Sequence, residues 1–169
     1  VRKNLHSFPP HLKERAYQGV VRPRLEYASS VWDPHRKCNI TSIESVQRRA
    51  ARFVSGNHER YASVTSMIDQ LGWQTLQQRR WVARMGILHR AYNDQAFALK
   101  IPPIYSPLAS VTSARTTHTH KLNIPHMNLD SYKYSFFPRT IRCWNVLPTN
   151  CFETPETCKF KETLRNHIN

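Results

Sequence analysis

Apolar residues recur at helical spacing along most of this chain, in runs broken by proline and glycine. Between Pro9 and Val21, Leu12, Ala16 and Val20 fall four residues apart on one face, and Pro10 suits a first helical turn. Pro23 is expected to end that helix, because it cannot donate the next hydrogen bond and it restricts Arg22 before it. Leu25 to Trp32 reads as a second short helix and Asp33-Pro34 as a turn. Thr41 and Glu44 have the spacing of a capping box, and Gly56 is a ready stop. The helix between them carries one apolar stripe: Ile43, Val46, Ala50, Phe53 and Val54.

Downstream, a short helix is predicted from about Val64 to Leu71, closed by Gly72. Thr75 and Gln78 form a second capping box, opening a long helix to about Tyr92. That helix is apolar over a wide arc (Leu76, Trp81, Met85, Leu88 and Tyr92 among others), which places it at the centre of the core. After Asn93 the character changes. Pro102, Pro103 and Pro107 precede a Ser/Thr/His run from Ser110 to His120, which reads as a linker. Structure is expected to resume near Tyr132. Pro138 suits the first turn of a helix bearing Ile141, Trp144 and Val146, and a last helix from Thr154-Pro155 places Phe160, Leu164 and Ile168 at four-residue steps. No repeat and no alternating strand pattern is present. The expected fold is mainly α: a small helical bundle over 1–93, a Pro/Ser/Thr-rich linker over 94–131, and a short helical extension over 132–169.

Charge changes this picture most. The chain has 25 Lys and Arg against 11 Asp and Glu, a net charge of +14. A balance this basic points to a polyanion, and nucleic acid is the first expectation, through phosphate contacts and counterion release. No stretch approaches the roughly 18 apolar residues of a membrane span, and no long basic amphipathic helix suits a membrane surface. The four cysteines contain no C-x-x-C pair, so free thiols in a reducing, intracellular setting (nuclear or cytoplasmic) are expected. The first residues, Val1-Arg2-Lys3-Asn4, lack an initiator Met and an apolar signal core, which leads to the expectation of a piece of a longer frame.

The candidate binding residues are arginines. Arg48, Arg49 and Arg52 sit beside the apolar stripe of their helix, Arg48 and Arg52 on one face four residues apart. Arg79, Arg80 and Arg84, with Arg60 and Arg90, would extend this ridge if the two helices lie side by side. The planar guanidinium suits phosphate because it donates two hydrogen bonds at once, and such contacts position a duplex without reading its sequence. Against this stands a merely solvated charged face. Tyr132, Tyr134, Phe136, Phe137 and Trp144 interleave with Lys133, Arg139 and Arg142, which would suit base stacking, but the favoured reading is that they close a core after the linker. Cys143, Cys151, Cys158 and His167, even with His118 and His120, are spaced too widely for a structural zinc site, and no metal is expected. No nucleophile-elbow signature is present, so no catalytic residue is assigned.

Several runs, taken in order, carry a resemblance. They are Leu12-Lys13-Glu14-Arg15-Ala16-Tyr17, Val21-Arg22-Pro23-Arg24-Leu25-Glu26-Tyr27-Ala28, Val31-Trp32-Asp33-Pro34-His35 and Ile43-Glu44-Ser45-Val46-Gln47-Arg48-Arg49-Ala50-Ala51-Arg52-Phe53. Leu71-Gly72-Trp73, Tyr132 to Arg142, Trp144-Asn145 and Leu147-Pro148 complete the set. Their order across nearly the whole chain resembles the region downstream of the polymerase core in reverse transcriptases of LINE-type, non-LTR retrotransposons, jockey-like elements among them. The resemblance implies that the first 93 residues are thumb-like and grip a template–primer duplex. It also implies an upstream palm and fingers as partners, and magnesium only in that palm, at a Tyr-Ala-Asp-Asp type motif. Nothing here matches the motif: Asp33, Asp69, Asp94 and Asp130 stand apart. Cys143 and Cys151 depart from the family pattern. The expectation is therefore a non-catalytic C-terminal fragment of an RNA-directed DNA polymerase, binding an RNA template, an RNA–DNA hybrid or target DNA. The alternative is an expressed remnant of a decayed element, with a structural role or none.

Overall fold

The structure, a computed structural model, describes residues 4–59, 61–107, 119–126 and 128–168. These are mainly helical, and their one bridge between extended segments is the isolated antiparallel pair Pro107 and Leu122. The chain divides into two compact units, Val1–Arg80 and Trp81–Asn169, so the division falls inside the long helix rather than at its end near Asn93.

In the first unit, helix α1 (Pro10–Ala16) does not stop before Pro23. It widens into a π-helical turn at Tyr17–Val21 and continues as α2 (Arg22–Glu26). The expected break is corrected: the wider turn, in which Arg22 N–H bonds to Tyr17 O, puts Pro23 at the start of a fresh helical segment, where its missing N–H costs nothing. The buried face also differs from the expected one. Leu12 and Val20 are exposed, and Tyr17 is the residue that α1 and its extension bury. Ala28 then takes a left-handed conformation (φ 48°) and starts the single-turn α3 (Ser29–Trp32).

Helix α4 (Lys37–Ser55) begins before Thr41, so the capping box expected there is not its N-terminus. Gly56 ends it in the left-handed conformation, as its position predicted. Helix α5 (Val64–Gln70) is capped by Ser63, whose side chain accepts from Ser66 N. At its other end Gly72 (φ 63°) donates to Asp69 O and Trp73 N donates to Ile68 O, the paired bonds of a Schellman stop. Before α6 (Leu76–Asn93) the second capping box forms as expected: Gln78 N donates to Thr75 Oγ1 at 3.1 Å and Thr75 N to Gln78 Oε1 at 3.0 Å.

The core of this unit joins Tyr17, Ala51, Val54, Val64, Met67 and Trp73. Tyr17 stacks on Trp73 with ring centroids 4.6 Å apart, and its hydroxyl donates to Gln47 Oε1 at 3.1 Å. Gln47 Nε2 in turn donates to Gln74 O, and Trp73 Nε1 donates to Glu14 Oε1 at 2.9 Å. The polar atoms that Tyr17, Gln47 and Trp73 carry into this small core are thus each partnered, as burial demands. Burial pushes the Tyr17 phenol up to about 12, so it stays a hydrogen-bond donor.

The second unit packs the remainder of α6 with α7 (Asp130–Lys133), α8 (Phe136–Trp144) and α9 (Thr157–Ile168). Its core includes Met85, Leu88, Ile141, Trp144, Phe160 and Leu164, all with no exposed surface. Trp144 is ringed by Tyr92, Phe152 and Phe160 at centroid distances of 5.5, 4.7 and 5.8 Å, and its indole N–H donates to His120 O at 2.7 Å. Gly86 makes room for Lys161: a Cβ there would sit 2.1 Å from Lys161 Cε. Val146, expected on the apolar face of α8, lies past its end and is 76% exposed. The helix closes two residues earlier, at Trp144, and the side chain of the next residue, Asn145, accepts from Leu122 N and donates to Leu122 O. Parts of the expected linker are core material, since Tyr105 and Leu122 are buried there. Residues 108–118, most of the Ser/Thr/His run, lie outside the described residues.

Candidate nucleic-acid interface

At 100° per residue, Lys37, Thr41, Ser45, Arg48, Arg49 and Arg52 share one side of α4, beside the arc of its buried Gln47, Ala51 and Val54. The side spans about 22 Å from Lys37 to Arg52 at 1.5 Å per residue. Lys37, Arg48 and Arg49 are exposed. Arg52 is half-buried and donates to Glu59 O at 3.0 Å. Arg49 folds back on its own helix, its Nε 3.3 Å from Ser45 O.

The one acid of α4, Glu44, does not offset these charges at the surface. Its two oxygens accept from the backbone N–H groups of Gln77 (2.7 Å) and Leu76 (3.3 Å). The carboxylate expected to cap its own helix therefore caps α6, where the exposed amides and helix dipole favour an anion. Other acids of residues 1–80 are also taken up inside the unit. Glu26 holds both Arg79 and Arg22, Asp33 holds Arg80, and Glu14 meets Trp73 and Gln18. Of the six acids in this unit only Glu59 and Asp69 are exposed, so the outer surface is more one-signed than the composition suggests.

The extension of the ridge onto α6 is corrected. Arg80 is 1% exposed and Arg84 3% exposed. Arg80 Nε donates to Asp33 Oδ1 at 2.8 Å, and its guanidinium lies 5.9 Å from the centre of the Trp32 ring. Nη1 and Nη2 of Arg80 have no hydrogen-bond partner among the described residues. Arg79 is a bidentate partner of Glu26, with Nη2 3.0 Å from Oε2. A sequence signal for this existed: Leu76, Arg80, Arg84 and Leu88 step by four, so both arginines fall on the face that the leucines bury. Arg60 lies outside the described residues, and Arg90 is exposed, 3.3 Å from Asp94 Oδ2.

The remaining candidates are structural. Trp144 is buried, and Tyr132 and Phe137 pack against the same core, in keeping with the favoured reading of that aromatic run. Cys151 is buried, its thiol pushed up first by burial and then by Glu153, whereas Cys158 is exposed and Cys143 intermediate. Among the described residues no group of three His, Cys, Asp or Glu is placed to hold a metal, and His118 lies outside them. Asp33 is engaged by Arg80 and Asp94 by Arg90. No described helix is long and apolar enough to cross a membrane.

No protein-family model, curated protein or solved structure matches this chain. The site stands on its own geometry: a basic, hydroxyl-bearing helical face whose own acid, Glu44, is occupied in capping α6, with Glu59 the exposed acid beside Arg52.

Proposed function

We propose that this chain is a non-catalytic part of an RNA-directed DNA polymerase of a LINE-type, non-LTR retrotransposon, and that it grips template–primer nucleic acid through the sugar–phosphate backbone. The observation that carries the reading is the α4 face, where Lys37, Arg48, Arg49 and Arg52 line up while Glu44 is spent on capping α6. Guanidinium groups on a rigid helix meet successive phosphates without sensing base identity, which is what a polymerase needs behind its active site. The ordered sequence runs support the family. Palm and fingers, supplied by the parent protein, would hold the magnesium ions and perform the chemistry.

Binding of a fluorescent RNA–DNA hybrid across a salt series tests this. The wild-type chain is expected to lose affinity steeply with salt. Replacing Arg48, Arg49 and Arg52 together by Gln should flatten the slope of log K against log salt by up to about 3, near 0.9 for each phosphate no longer neutralised. Circular dichroism serves as the folding control. An unchanged slope in the folded triple variant would remove α4 as the grip.

A further inference from the structure

Away from the α4 face, the turn around α3 exposes apolar surface that folding leaves uncovered. Tyr27 is 81%, Val31 86% and Trp32 40% exposed. A surface tryptophan ordinarily finds either a partner or a fold to bury it. Here the indole is instead locked in place. Its N–H donates to Tyr27 O at 2.7 Å, and Ala28 holds the left-handed turn that puts Tyr27 and Trp32 on either side of one short link. The ring also lies over the Arg80 guanidinium, which Asp33 fixes. With its polar edge satisfied, the indole has only ring surface to offer a ligand.

The surroundings define the ligand's charge. Arg24, His35, Arg36 and Lys37 are all exposed beside this link, while the two nearby acids, Glu26 and Asp33, are tied to Arg79 and Arg80. A locked indole face and an exposed phenol ring set among cations, with the acids withdrawn, suit a polymer of planar rings and phosphates. We infer that Tyr27 and Trp32 form a stacking platform for unpaired bases of a single nucleic-acid strand, with Arg24 and Arg36 following its backbone. A duplex hides its ring faces in stacking, so the platform selects single-stranded segments, of which an RNA template ahead of synthesis is one. The inference deepens the nucleic-acid reading given above and assigns it a second, chemically distinct surface. An acidic protein segment is the competing occupant, disfavoured because it has no use for a fixed indole face beside an exposed phenol ring.

The test uses the full chain and a short fluorescein-labelled uridine homopolymer, with the RNA–DNA hybrid measured in parallel. Trp32→Leu keeps apolar bulk but removes the ring, and should weaken homopolymer binding on the order of ten- to a hundredfold, with Trp32→Phe restoring most of it. Hybrid binding should change little. Intrinsic tryptophan emission should be quenched on binding in the wild type and not in Trp32→Leu. Tyr27→Leu, at a far more exposed position, gives an independent reading if Trp32→Leu misfolds. Homopolymer affinity unchanged in both variants would overturn the platform, as would equal competition by polyglutamate of matched charge. A failure of the α4 triple variant to alter hybrid binding would count against the backbone grip alone, because the Trp32-dependent affinity is read on a different ligand.

Discussion

In residues 1–80 the buried set is small and mixed. Tyr17, Ala51, Val54, Val64, Met67 and Trp73 are held together as much by the bonds of Tyr17, Gln47, Gln74, Trp73 and Glu14 as by apolar contact. Residues 81–169 bury Trp144, Phe160, Met85, Leu88, Ile141 and Leu164 completely, with Tyr92 and Phe152 packed against them. The first unit also keeps Tyr27, Val31 and Trp32 at the surface and spends its carboxylates on capping and on inward arginines. The second is built around its aromatic centre. The difference teaches that the two units are held by different means: apolar burial around one aromatic centre in the second, and a mixed set of contacts, hydrogen bonds and ion pairs in the first.

The largest effect should come from the aromatic centre. Trp144→Ala removes the ring at the middle of the second unit and leaves His120 O without its donor, so a loss of about 3–5 kcal/mol is expected in urea unfolding. A loss below about 1 kcal/mol would show that this core is loosely packed and would erase the contrast between the units. In the first unit the matching probe is polar. Gln47→Leu preserves volume but orphans both the Tyr17 hydroxyl and Gln74 O, at a cost of about 1–3 kcal/mol. If Leu there is neutral or stabilising, that unit is held by apolar burial after all.

Acidity separates the units in another way. His89 is buried against Phe160, with ring centroids 4.1 Å apart, and Asn93 Nδ2 lies 3.1 Å from its Nε2, so Nε2 accepts and Nδ1 carries the proton toward Thr157 Oγ1. Burial holds its pKa below the ordinary 6.5, only partly opposed by a backbone hydrogen bond at Thr154. The unfolded chain then binds the proton more readily than the folded one. Stability is therefore full above about 6.5 and falls as pH drops from there toward the lower, folded value. Unfolding midpoints measured from neutral to mildly acidic pH should decline in the wild type and decline less in His89→Phe. Equal slopes in the two proteins would assign the acid sensitivity to other histidines.

Legibility in the sequence follows the range of the interaction. Gly56, Gly72 and the pair Thr75 and Gln78 act within one helical turn, and all four behave as their local pattern predicts. Glu44 carries the same local signature as Gln78 yet serves amides more than thirty positions away, because α4 starts at Lys37 and leaves it mid-helix beside the open end of α6. The burial of Arg80 was readable from its four-residue step between Leu76 and Leu88, but its partner was not, since the anion, Asp33, comes from a different element. The π-turn before Pro23 escapes any 3.6-residue template, and the choice of Tyr17 over Leu12 and Val20 as the inward residue rests on distant partners, Trp73 and Gln47. Tyr27 and Val31, four apart, look like one helical stripe. Only the backbone reversal at Ala28 breaks that stripe and turns both residues outward.

That reversal yields the smallest expected effect. Ala28 is the one non-glycine residue with positive φ among the described residues, and an L side chain there crowds its own carbonyl at a cost of about 1–2 kcal/mol. Glycine would relieve the crowding but gives its unfolded chain more freedom to lose, worth roughly 0.5–1 kcal/mol in the other direction. Ala28→Gly should thus be neutral or stabilising by at most about 1 kcal/mol in thermal unfolding, a sign opposite to that of Trp144→Ala and Gln47→Leu. A clear destabilisation would mean that the methyl group is packed rather than strained, and that the turn is held by burial like the second unit. A gain in stability would place backbone strain beside Trp32, in a turn whose indole is tied to Tyr27 O and stays 40% exposed.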